Sequence, residues 1–160
     1  MREYLGPDEL HPGSPGWQRH TNMFEKNIVA AGIRLHYAEP ETLSLPEYVL
    51  YGQMFQAILQ GHAMEALRFR KDDPVDDCQG ALIWSYSDCW GETGWSILDY
   101  YLRRKASYYW FRRACAPLKV IVRQRQDQLH AIARAQLQKK IVCIISMKKF
   151  ESFDPFLHRQ

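Results

Sequence analysis

Three tryptophans and an aspartate, Trp84, Asp88, Trp90 and Trp95, fall within the run Gly80 to Tyr101, GALIWSYSDCWGETGWSILDYY. An indole ring offers a flat apolar face to the C–H side of a sugar, while acids at its edge take up hydroxyls. The pattern Trp-x-x-x-Asp-x-Trp at the end of an apolar run therefore describes the rim of a sugar-binding pocket. It describes equally well the packed top of a strand, because tryptophan also fills cores.

Other residue types that could do chemistry are less organised. The four cysteines, Cys78, Cys89, Cys115 and Cys143, are scattered without a Cys-x-x-Cys pair, which disfavours zinc ribbons and redox motifs. His62 has no second metal ligand at helical spacing and reads as a packed or surface histidine. The aspartates between Asp72 and Asp77 lack the glycine and terminal glutamate of a calcium loop. No metal and no cofactor is implied.

These residues must be positioned by a chain of 160 residues, enough for one domain with a sizeable core and too short for two full ones. Aromatic content of 13% is high, which favours an aromatic core or an aromatic-lined ligand site. The net charge of +3 hides an asymmetry: residues 1–102 carry 7 basic and 15 acidic side chains, residues 103–160 carry 14 and 3. A basic C-terminal part can face an acidic neighbour or nucleic acid, of which nucleic acid is the less favoured. No signal peptide and no run of membrane-spanning length is evident, so the expectation is a reduced, soluble, cytoplasmic protein.

Along the chain, residues 1–22 read as loop, with at most a short helix around Pro7 to Leu10, and Met23 to Tyr37 as a short helix followed by a loop. Ser44-Leu45-Pro46-Glu47 is a capping box with proline in the first turn. It opens a helix of about six turns, whose apolar stripe is Tyr48, Tyr51, Met54, Phe55, Ile58, Leu59, Ala63, Ala66 and Leu67. Gly80 to Trp84 is continuously apolar, as in a strand buried on both faces of a parallel sheet. A basic helix over about Leu102 to Ala114 stops before Pro117, and Leu118 to Arg125 pairs as a hairpin with Gln128 to Ala133. One more strand is placed at Ile141 to Ser146. Helix, strand, helix is the grammar of an α/β parallel-sheet or barrel fold, and the change of pattern at Pro117 marks a domain boundary.

The run from Gly80 to Arg123 resembles the end of the catalytic barrel of the β-mannosidase-like enzymes of glycoside hydrolase family two. There the last strand reads roughly Gly-x-x-x-Trp-x-x-Asn-Asp-x-Trp-Pro-x-x-Ser-Trp, followed by an Asp-Tyr-Tyr-x-Arg-x-Lys-x-x-Tyr-Tyr helix and an Ala-Pro step into a β-sandwich. Trp84, Asp88, Cys89, Trp90, Trp95, Asp99, Tyr100, Tyr101, Arg103, Lys105, Tyr108, Tyr109, Ala116 and Pro117 stand at the corresponding places. Upstream, Tyr4-Leu5, Ser14 to Trp17 and His20 resemble the segment after the seventh barrel strand, and Leu45 to Leu67, with Gln53 and Gln56, the seventh helix. The likeness covers about residues 2–133.

The resemblance implies an α/β chain: residues 1–116 as the C-terminal part of a (β/α)8 barrel, 117–133 as the first strands of a β-sandwich domain, and 134–160 unassigned. It implies that Trp84 floors the subsite of the sugar to be cleaved, with Ser87, Asp88 and Trp90 as further substrate-binding residues and Asp99 and Lys105 structural. Ser87 and Gly91 replace the usual Asn and Pro. Retaining glycosidases use two carboxyl groups about 5 to 5.5 Å apart, and in this family those glutamates end the fourth and seventh strands, upstream of the segment matched here. Glu3 lacks the serine of the nucleophile motif and has Leu5 before the glycine, so no catalytic residue is carried over. The expectation is a fragment of a β-mannoside hydrolase, inactive alone, whose partners are a carbohydrate and the remainder of the barrel. The alternative is a non-enzymatic interaction protein whose basic C-terminal half binds an acidic partner or nucleic acid.

Overall fold

The computed structural model describes residues 2–22, 28–71, 73–125, 128–135 and 144–148. The chain divides into two compact units, Met1–Cys115 and Ala116–Gln160. In the first, a 3₁₀ turn at Pro7–Glu9 precedes α1 (Pro15–Arg19), α2 (Ala30–His36), α3 (Leu45–Phe69) and α4 (Ala106–Ala114). Helix α1 was not anticipated: Ser14 accepts the Trp17 amide and Pro15 opens the turn, which makes a helix of a stretch that reads as loop. The start of the expected Met23 helix, residues 23–27, lies outside the described residues; within the rest of that expected segment, α2 spans Ala30–His36.

Helix α3 starts at the capping box, where the Ser44 amide donates to Glu47 Oε2 at 2.9 Å. Its most buried positions are Tyr48, Gly52, Gln56, Ala57, Gly61 and Phe69, whereas Leu59 of the expected stripe is exposed and its other members apart from Tyr48 are half-buried or exposed. Close approach explains the difference. A β-carbon on Gly61 would stand 3.3 Å from the Trp110 ring of α4, one on Gly52 3.1 Å from Val29, and one on Gly32 of α2 2.4 Å from the Phe55 ring. The core gathers Leu5, Trp17, Val29, Ile33 and Tyr48, with Trp95 and Tyr51 packed against it, and Trp17 meets Tyr48 edge to face at 6.2 Å.

Gly80 to Trp84 corrects the expected buried strand. Its backbone is irregular, and Leu82, Trp84 and Tyr86 are exposed. A parallel strand needs ladder partners on both sides, and the described residues of this unit contain only isolated bridges, Thr21 with Thr93, Ser87 with Leu98 and Leu98 with Arg104. The basic helix also begins later than expected, at Ala106, because residues 98–105 are occupied by a turn.

The second unit is an antiparallel sheet of β1 (Leu118–Arg125), β2 (Gln128–Ala135) and β3 (Ile144–Lys148) in that order. Leu118 pairs with Ala135 and Arg125 with Gln128, the expected hairpin with two residues more at its far end. The directly opposed Ile121 and Ile132 are buried, while Leu118, Val120 and Val122 alternate onto an exposed face. The third strand runs from Ile144; residues 141–143, where it was expected to start, lie outside the described residues.

Candidate functional site

The turn from Trp84 to Trp90 is held from behind. The Asp88 amide donates to the Leu98 carbonyl at 3.1 Å and the Leu98 amide to the Tyr86 carbonyl at 3.0 Å, so Ser87 and Leu98 form a single parallel bridge. The Asp88 side chain is 2% exposed; its Oδ2 lies 2.9 Å from Lys105 Nζ and its Oδ1 accepts from the Ser96 hydroxyl. Lys105 Nζ also donates to Ser96 Oγ at 2.7 Å. An ion pair so enclosed is stable only when its remaining valences are met. Ser96 meets one for each partner.

Helix α3 fixes the return of this loop. Gln56 Nε2 lies 3.0 Å from each of the Gly94, Trp95 and Ser96 carbonyls, and Gln60 Nε2 donates to the Trp95 carbonyl at 2.9 Å. Gln53 Oε1 accepts the Ala106 amide at 3.1 Å, at the first turn of α4. Three glutamines at i, i+3 and i+7 thus form one polar row along α3. The resemblance had marked Gln53 and Gln56 by position only. A polar row interrupting an apolar face was the available signal, since a buried amide is stable only where it has partners.

Trp90 and Trp84 sit differently. Trp90 stacks on His20 at 4.4 Å, His20 packs on Tyr4 at 5.6 Å, and His20 Nδ1 lies 2.5 Å from the Gly91 carbonyl. Trp90 also lines a cavity of about 870 Å³, together with Trp17, Tyr48, Gln53, Asp99 and Arg103. Trp84, Ser87 and Asp88 are not in that lining. Trp84 is 82% exposed, and the peptide joining it to Ser85 is cis. Ser87 is half-buried. The structure therefore sets Trp84 as a bare indole at one end of the turn, Trp90 as a stacked ring at the other, and Asp88 between them with its carboxylate turned inward.

Two further carboxylates near this turn, Asp99 and Glu3, are occupied. Asp99 accepts from the Tyr101 amide at 2.9 Å, the Arg103 amide at 2.8 Å and Arg103 Nε at 2.6 Å. Desolvation opposes its charge, but the Arg103 amide, guanidinium and positive charge, with the Tyr101 amide, hold its carboxyl below the usual carboxylate range. Glu3 accepts from the Tyr101 hydroxyl. No group of three metal-ligating side chains occurs among the described residues, and no described helix is long and apolar enough to cross a membrane.

No family model matches the chain. It is 48% identical over 53 residues to β-mannosidase B of Thermothelomyces thermophilus, a match covering 33% of this chain and 6% of that protein. To β-mannosidase B of Aspergillus oryzae it is 35% identical over 95 residues, covering 59% of this chain and 11% of that one. The chain thus matches only a small fraction of the length of these curated relatives. Among solved structures, the β-D-mannosidase of Dictyoglomus thermophilum aligns with a TM-score of 0.69 at 23% identity over 93% of this chain and 21% of that one. The exo-chitosanase of Amycolatopsis orientalis aligns with a TM-score of 0.63 at 17% identity, covering 79% and 16%. The mixed helix and strand fold is thus that of a part of such glycosidases, and the likeness to β-mannosidases read from the run Gly80 to Arg123 holds.

Proposed function

We propose that this chain is a segment of a β-mannosidase-like enzyme of glycoside hydrolase family two, and that Trp84, Ser87, Asp88 and Trp90 belong to one wall of its subsite for a terminal β-mannoside. The observation that carries this reading is the exposed Trp84 indole on a turn anchored by a buried ion pair. A flat apolar face that stays in water has no packing purpose in the described residues, and the C–H side of a sugar is the surface it fits. Trp84 supplies the stacking face and Ser87 a hydroxyl. Asp88 sets the turn, and Trp90 closes its far end.

In the same reading, residues 1–116 are the last part of a (β/α)8 barrel, 117–133 open a β-sandwich domain and 134–160 remain unassigned. The two-unit division at Cys115 and the loose, apolar Gly80 to Tyr86 segment support it, since that segment has the composition of a buried strand. The partner is then the rest of the barrel. Retaining hydrolysis requires an acid/base and a nucleophile, and in this reading both come from the rest of the barrel: Asp88, Asp99 and Glu3 are each committed to another side chain, and Glu92, in the cavity lining, stands in no acid/base motif. The free thiols Cys78, Cys89 and Cys115 accord with a reducing, cytoplasmic setting.

Replacing the matching segment of a β-mannosidase B with residues 2–116 tests the proposal. The expected result is a folded chimera that hydrolyses aryl β-mannosides and loses about tenfold to a hundredfold in kcat/KM on Trp84→Ala, the equivalent of about 1.4 to 3 kcal/mol of stacking. A folded, active chimera indifferent to Trp84→Ala would remove Trp84 from the sugar wall.

A further inference from the structure

Lys105 is a poor residue for the place it occupies in its own helix. It is the N-cap of α4 and makes no side-chain cap, where Ser, Thr, Asp or Asn is favoured. A cation there also faces the positive end of the helix dipole. Helix formation therefore does not account for it. Its side chain turns away instead, only 11% exposed, to reach Asp88 Oδ2 at 2.9 Å and Ser96 Oγ at 2.7 Å.

We propose that Lys105 is the positioning residue of the Trp84 to Trp90 turn, acting through Asp88. This rests on the reading of that turn as a sugar wall and adds how the wall is aimed. Lys105 is fastened at both ends, since its amide donates to the Ile97 carbonyl at 3.0 Å while its ammonium holds Asp88. The next residue, Ala106, is tied to Gln53 of α3. The rigid α3 and α4 pair is thereby linked through one buried ammonium to a carboxylate four residues after Trp84 and two before Trp90. Ser96, fully buried, keeps that carboxylate in one orientation by donating to it and accepting from Lys105. Neither Lys105 nor Asp88 contacts the sugar in this arrangement; their joint effect is the direction in which the two indoles point.

The test is the indole N–H spectrum of the 160-residue chain, with its five tryptophans assigned by substitution. Lys105→Met is expected to shift or broaden the Trp84 and Trp90 resonances while those of Trp17 in the core and Trp110 on α4 stay in place. Lys105→Arg is expected to restore the parent positions. Should Lys105→Met alone fail to fold, the Lys105→Met/Asp88→Asn pair, which leaves no unpaired buried charge, is read in the same way. Unmoved Trp84 and Trp90 resonances, or movement confined to Trp110, would overturn the proposal. Methyl β-D-mannopyranoside titrated into the β-mannosidase B chimera, where the rest of the barrel is present, tests the sugar reading separately: a silent Trp84 resonance there would remove that reading, with the Lys105 result standing on its own.

Discussion

Tyr101 donates its phenolic proton to Glu3, and that hydrogen bond, reinforced by burial and by the negative charge of Glu3, pushes the tyrosine up to about 12. Because the folded value lies above the ordinary one near 10, the stabilisation is complete below about pH 10 and disappears as pH rises toward 12. Absorbance of tyrosinate should therefore show one late-titrating tyrosine, which Glu3→Gln returns to the ordinary range. Asp99 shows the opposite sign. Held below its ordinary value by the donors of Arg103 and Tyr101 against desolvation, it contributes fully above about pH 4 and loses that contribution as pH falls through its folded value. Asp99→Ala should cost about 1 kcal/mol at neutral pH, with the difference from the parent shrinking in acid denaturation series. At this scale the pattern of residue types made Asp88, Asp99 and Lys105 visible as a set, but not their pairing. Asp88 and Lys105 stand seventeen positions apart with a turn between, and no periodicity connects them.

Among the elements, α3 shows why a helix can be read correctly and its buried face misread. The capping box and the proline in the first turn are local chemistry, and both are where the residue types require them. The buried face is decided by neighbours: α4 approaches where Gly61 leaves room for Trp110, and the 94–96 loop is fastened where Gln56 meets its carbonyls. Gln56→Leu should consequently cost about 2 kcal/mol, from acceptors left without a donor, whereas Leu59→Ala, at an exposed site of the apparent stripe, should fall within about 0.5 kcal/mol of the parent. Urea unfolding of the two variants compares them directly. The Gly80 to Trp84 segment was misread for a related reason. Its composition suits a buried strand, but a strand is a property of the ladder beside it, and no ladder flanks it among the described residues.

For the whole molecule, the likeness to β-mannosidases was legible because tryptophan and tyrosine at fixed spacing are rare by chance, and the comparisons agree with it. The division near residue 116 left a trace in the change from helical to alternating pattern, and the hairpin that follows was readable from that alternation. What composition could not convey is that the turn is braced from within by charge and by glutamine amides while its indole faces outward. On the proposed function, this chain is one wall of a sugar-cleaving site whose catalytic carboxyls are supplied elsewhere. The most direct test is release of the aryl group from an aryl β-mannoside by the purified 160-residue chain. The prediction is no release above buffer; turnover that disappears on Trp84→Ala would contradict it.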